Sequence, residues 1–168
     1  VGMIEMDEKN PRWGETCAKP PHPPTQQSPF EMCQTTLLDV LKDKRLETAL
    51  RRGHRRVVQF LTENHEELLK LAFESDDPTL AIKSLMQLNP VNRAYICSTP
   101  AFQEISVKVI KGKDVKKVSQ LAAVIEKAVQ TYPNVMKYVQ NLMELFVDLI
   151  NYAAVMYLFM TIASTAPN

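Results

Sequence analysis

The feature that most constrains this chain is a helix-starting device repeated at short intervals. Asp77-Pro78, Asn89-Pro90 and Thr99-Pro100 each set a residue that can cap a helix N-terminus ahead of a proline, whose fixed φ suits the first helical position. Thr131-Tyr132-Pro133 is a looser version, and Asn64 with Glu67 three residues on makes an Asn-led analogue of the capping box. Starts this close together leave room only for helices of roughly 8 to 18 residues.

Apolar residues recur at helical spacing between these starts. Leu46, Leu50, Gly53, Val57, Phe60 and Leu61 share one face of a helix drawn over residues 43–62. A glycine inside that stripe costs about 1 kcal/mol against alanine, a loss offset where a neighbouring helix approaches across the missing side chain; the alternative is a break in the helix at Gly53. Val118, Leu121, Ala122, Ile125 and Val129 form a second stripe, and Leu142, Leu145, Phe146, Leu149 and Ile150 a third. Residues 103–110 come nearest to the period-two alternation of a strand, yet they follow Thr99-Pro100 and precede Lys111-Gly112, which favours a short helix. The expected fold is all-α: stacked short helices in an armadillo/HEAT-like helical repeat, with a compact helical bundle as the alternative.

Domain organisation follows from where these stripes begin. Six of the 11 prolines lie in residues 1–30, around Pro20-Pro21-His22-Pro23-Pro24, with no helical periodicity, so this segment reads as a disordered arm. Pro20/Pro23 and Pro21/Pro24 fit a PxxP pattern but lack a basic residue at the positions that orient such ligands, which favours a linker. Residues 31–168 then form one helical-repeat domain, for which 45% hydrophobic residues supply a core. Its last segment, with Val155, Met156, Tyr157, Leu158, Phe159, Met160 and Ile162, is apolar on nearly every side and implies cover from more than one neighbour. The domain therefore reads as cut short at its C-terminus. Val1 in place of Met, followed by Glu5, Asp7 and Glu8 with no apolar run, reads as the start of a fragment or processed chain and not as a signal peptide.

Residue chemistry argues against an enzyme. His22 lies in the arm, His54 in a basic stretch and His65 in a helix's first turn, none at a spacing that builds a catalytic site. Cys17, His22 and Cys33 offer neither paired spacing nor a fourth ligand for zinc, and Cys17, Cys33 and Cys97 read as free thiols of a reducing, cytoplasmic compartment. Glu144 and Asp148 share a face opposite the third stripe, where a solvated acidic face is the ordinary reading. No cofactor is implied. Residues 149–168 lack charge, but their apolar run is shorter than the roughly 20 residues a membrane span needs, and a buried helix is favoured.

The sharpest charge feature is Arg51-Arg52-Gly53-His54-Arg55-Arg56. On a continuous helix Arg51, Arg52 and Arg55 point away from the Leu46/Leu50/Val57 stripe, joined by Lys44, so these four are the candidate partner-binding residues. A docking face for an acidic protein fits them. The alternative function is a nucleic-acid-binding helical domain using the Arg51–Arg56 cluster, against which stand the lack of interleaved aromatics and 20 Lys+Arg balanced by 19 Asp+Glu.

Taken in order, several segments resemble the start of a SAPS domain, the shared region of proteins that associate with the protein phosphatase 6 type of catalytic subunit. Thr36-Leu37-Leu38-Asp39 is similar to that family's early helix, and residues 46–61 (LETALRRGHRRVVQFL) to its helix ending in a basic pair, two aliphatics, a polar residue and Phe-Leu. Residues 121–162 resemble its later helices, including the Phe-Val-Asp-Leu-Ile run at 146–150. The likeness covers about half the chain and is weakest over residues 64–117. It implies a cytoplasmic armadillo/HEAT-like scaffold without active-site residues of its own, which binds a Ser/Thr protein phosphatase catalytic subunit and helps direct it to substrates.

Overall fold

A computed structural model describes residues 36–165, and every regular element among them is helical. In chain order these are α1 (Leu37–Lys42), α2 (Leu46–Arg51), α3 (Arg55–Glu63), α4 (His65–Phe73), α5 (Thr79–Gln87), α6 (Pro90–Cys97), α7 (Pro100–Gly112), α8 (Val115–Thr131), α9 (Met136–Phe146) and α10 (Ala153–Thr165). Short 3-10 turns at Pro133–Val135 and Val147–Leu149 flank α9. The proposed arm over residues 1–30, with Cys17 and His22, lies outside the described residues, as does Cys33 beyond it.

Local side-chain chemistry accounts for the starts of α1, α6, α7 and α8. Asn89 accepts the Asn92 N–H and Thr99 the Phe102 N–H, each with proline next, as the sequence pattern requires. Thr36 and Asp39 form a reciprocal capping box on α1, and Asp114 caps α8 through the Lys116 and Lys117 N–H groups. Two expected starts differ. Pro78 occupies the cap position of α5 itself and Asp77 caps nothing, while Asn64 turns its amide back to donate to the Phe60 carbonyl, closing α3 instead of opening α4. Thr131-Tyr132-Pro133 yields a 3-10 turn.

Several helices stack with a recurring offset, beside the further contacts of α1 on α5 and α6 on α8. The contacts α2 on α5, α3 on α6, α4 on α7 and α5 on α8 each skip two helices, and α7 on α9 and α8 on α10 then skip one. These repeated neighbour relations give a repeat-like all-helical architecture. Helix α8 is central, touching α5, α6, α7 and α10, and buries Val118, Leu121, Ala122, Val124, Ile125, Ala128 and Val129. One continuous core runs from Leu37 to Leu158.

Helix α10 departs from the expectation of cover on several sides. Among the described residues it packs mainly on α8, burying Val155 and Leu158, and leaves Met156, Tyr157 and Met160 exposed. No helix among the described residues is long and apolar enough to cross a membrane. In the third stripe Leu142, Phe146 and Leu149 are buried but Ile150 is exposed, because the helix tightens into a 3-10 turn after Phe146 and rotates the later positions.

Candidate functional site

The helix drawn over residues 43–62 does not exist as one piece. It ends at Arg51, and Gly53 takes φ +65°, the left-handed conformation that glycine adopts without a Cβ penalty. The Gly53 N–H donates to the Leu50 carbonyl at 3.0 Å and the His54 N–H to the Ala49 carbonyl at 2.9 Å, the paired bonds of a Schellman motif. No atom stands within 4 Å of where a Gly53 Cβ would sit, so the residue serves the turn and not a close helix approach. His54, now buried, opens α3.

This break redistributes the basic cluster. Lys44, Arg51, Arg52 and Arg55 are all exposed, but they do not share one helix face. Arg51 and Arg52, at the end of α2, border a groove of about 560 Å³ together with Arg93 of α6 and Lys127 of α8. Arg55, at the start of α3, borders a second groove of about 700 Å³ with Glu63, His65, Asn92 and Tyr95. Gly53 and Asn89 line both, so the α2–α3 turn forms a ridge between them; Lys44, in the α1–α2 turn, lines neither.

Charge pairing differs sharply among these cations. Asp43 holds Arg45 through Nε at 3.0 Å and Nη2 at 2.8 Å, and this hydrogen-bonded carboxylate raises the guanidinium above its ordinary value. Lys44, Arg52 and Arg55 make no ion pair or side-chain hydrogen bond to any described residue. Among the described residues Arg51 hydrogen-bonds the Thr48 hydroxyl, at 3.4 Å, and attracts the Glu47 carboxylate through Coulomb interaction. Glu47 is held by Lys83 at 3.4 Å and by Gln87 at 3.3 Å; the Lys83 contact above all keeps its carboxyl below the usual range.

Arg93 is the residue that sequence reading missed. It is 3% exposed, and its Nη1 donates to the Leu88 carbonyl at 2.6 Å and the Met86 carbonyl at 3.2 Å, closing the end of α5. Its Nε has no partner among the described residues, and burial pushes the guanidinium below its ordinary value. A signal was present: Arg93 stands three and four residues before Ile96 and Cys97, both buried, which places it on the inward face of α6. Lys127 carried no such signal, since only the fold brings α8 to α2.

The second groove is polar and largely satisfied within itself. His65 Nδ1 donates to the Thr62 carbonyl at 2.9 Å and its ring meets Tyr95 edge-on with centroids 6.1 Å apart. Asn92 donates to the Thr62 hydroxyl, and Gln59 to the Glu63 carboxylate. Among the described residues no group of three or more His, Cys, Asp or Glu side chains could hold a metal ion. Glu144 and Asp148 are exposed, the first on α9 and the second in the 3-10 turn that follows. Cys97 is buried, and desolvation pushes its thiol up to about 12.

No family model matches this chain, and neither does any curated protein or solved structure.

Proposed function

We propose that this chain is a non-catalytic, cytoplasmic scaffold that docks an acidic face of a partner protein on the ridge of Arg51, Arg52 and Arg55, aided by Lys44. The partner we propose is the one the SAPS resemblance implies, a Ser/Thr protein phosphatase catalytic subunit of the protein phosphatase 6 type, which the scaffold would help direct to substrates. The observation that carries the reading is the absence of partners for these cations among the described residues: there Lys44, Arg52 and Arg55 are exposed and unpaired, whereas neighbouring Arg45 is tied to Asp43. Exposed, uncommitted guanidinia are free to pair with carboxylates of an incoming surface, raising the association rate and fixing its orientation. Repeat-like stacking adds the extended frame on which such an interface spreads over several helices.

The test is capture from cell lysate on the whole 168-residue chain, wild type against a Lys44/Arg51/Arg52/Arg55→Glu variant, with retained proteins identified by mass spectrometry. Recovery of a phosphatase catalytic subunit by the wild type and its loss in the variant is the expected result. Failure of wild type to retain any phosphatase overturns the partner assignment. Retention of nucleic acid that falls steeply with added salt would instead transfer the ridge to the alternative reading.

A further inference from the structure

We propose that the groove between α2, α6 and α8 is a phosphomonoester site, taking a phosphoserine or phosphothreonine side chain from a peptide segment of a partner protein. The inference shares Arg51 and Arg52 with the docking ridge but does not depend on which protein docks there.

Three features of the groove converge on this ligand. First, Arg93 is a buried cation without a carboxylate partner among the described residues; backbone carbonyls occupy Nη1, and Nε is unsatisfied. A guanidinium taken out of water without an anion is costly, and an incoming oxyanion relieves that cost. Second, Arg51, Arg52 and Lys127 bring further positive charge to the same groove from two other helices, and the carboxylate that borders it, Glu47, is already engaged by Lys83 and Gln87. Four cations face one committed carboxylate. A carboxylate ligand would bring a single charge, whereas a phosphomonoester brings about −1.5 to −2 and three strong acceptor oxygens suited to several guanidinium donors. Third, the groove's volume of about 560 Å³ exceeds what a lone phosphate fills, and Met86 and Pro90 give it an apolar wall for the residues flanking a modified side chain.

Helix ends explain part of this charge and not the rest. Arg51 and Arg52 lie at the C-terminus of α2 and Arg93 closes α5, positions where cations offset the exposed carbonyls. Lys127 lies before the last turn of α8 and caps no helix, yet it borders the same groove.

The experiment uses the purified whole chain and a short fluorescein-labelled peptide carrying one phosphoserine between apolar residues, beside its unphosphorylated twin, with binding read by anisotropy. The phosphorylated peptide is expected to bind about tenfold more tightly than its twin. Lys127→Gln and Arg51→Gln, both at exposed positions where folding is not at stake, are each expected to weaken it by about fivefold. Glu47→Gln removes the opposing charge and is expected to tighten it by about twofold, a gain that a purely structural role for these residues would not produce. Lys116→Gln, at an exposed position outside the groove, is the control expected to change nothing. Equal binding of the two peptides, or indifference to both Lys127→Gln and Arg51→Gln, overturns the proposal. Competition by inorganic phosphate at the same concentration as the phosphopeptide would overturn the peptide assignment in favour of a free-phosphate site. Failure of the docking reading appears separately, in a lysate capture repeated with a Lys44/Arg55→Glu double variant, whose two residues do not line this groove.

Discussion

Residues 37–97 and residues 100–165 solve the same packing problem with different helix lengths. The first region uses six helices of 6, 6, 9, 9, 9 and 8 residues; the second uses four, of 13, 17, 11 and 13. Every helix end leaves backbone groups without intrahelical partners, so the first region concentrates polar chemistry in its turns. There the Asp43–Arg45 pair, the Gly53 turn, the Asn64 amide and Arg93 on the α5 carbonyls all answer that demand, and both grooves open between helix ends. The second region spends its length on burial: α8 is enclosed by four neighbours, and α10 leaves an apolar outer face. Short helices place polar turns and grooves at the surface, and long ones make the frame that holds them.

The largest test of this contrast is whether both regions belong to one cooperative unit. Phe73→Ala in α4, at a side chain 1% exposed, is expected to cost about 3–5 kcal/mol in chemical denaturation. Leu158→Ala, at the seam of α10 on α8, should cost about 2 kcal/mol, the low end for a leucine, because α10 is covered on one face. A single transition shared by both variants keeps the continuous core; separate transitions for α10 and the rest would break it.

Next in size is an alkaline effect confined to the first region. The Cys97 thiol is raised from the ordinary 9.0 to about 12 by burial, so the folded protein holds a proton that the unfolded chain releases. Its contribution is complete below pH 9.0 and is lost as pH rises toward about 12, with a limiting slope of about 1.4 kcal/mol per pH unit. Denaturation midpoints measured across this range should fall more steeply for the wild type than for Cys97→Ala, and equal slopes would show that the thiol is not buried in solution.

Gly53→Ala isolates the turn that divides the basic cluster. With no atom near the added methyl, its cost should be backbone strain alone, about 1 kcal/mol by thermal denaturation, with Gly53→Asn milder. A much larger loss would mean a packed neighbour and would restore the close-approach reading. Met160→Lys, on the exposed face of α10, should have the smallest effect, within about 0.5 kcal/mol. A greater destabilisation would show that this face is covered in the protein as purified.

The correspondence between sequence and structure follows the range of the interactions involved. Capping of α6 and α7 was legible because an N-cap side chain and the following proline act within three residues. The stripe on α8 was legible because burial on a helix repeats at 3.6 residues, and all five of its residues are buried. Gly53 was ambiguous, since a stripe glycine suits either a close contact or a left-handed turn, and the choice depends on whether a helix lies opposite. The exposure of Lys44, Arg51, Arg52 and Arg55 was also legible, but not their partition: the turn at Gly53 sends Arg51 and Arg52 to one groove and Arg55 to another.

What the sequence alone determined is the all-helical class, the capped starts of α6 and α7 and the inward face of α8, because caps and periodicity are local. Tertiary structure alone decided that Arg93 and Lys127, 42 and 76 residues beyond Arg51, meet it in one groove. Burial and Coulomb interactions act through space, and stacking fixes which distant side chains lie close together.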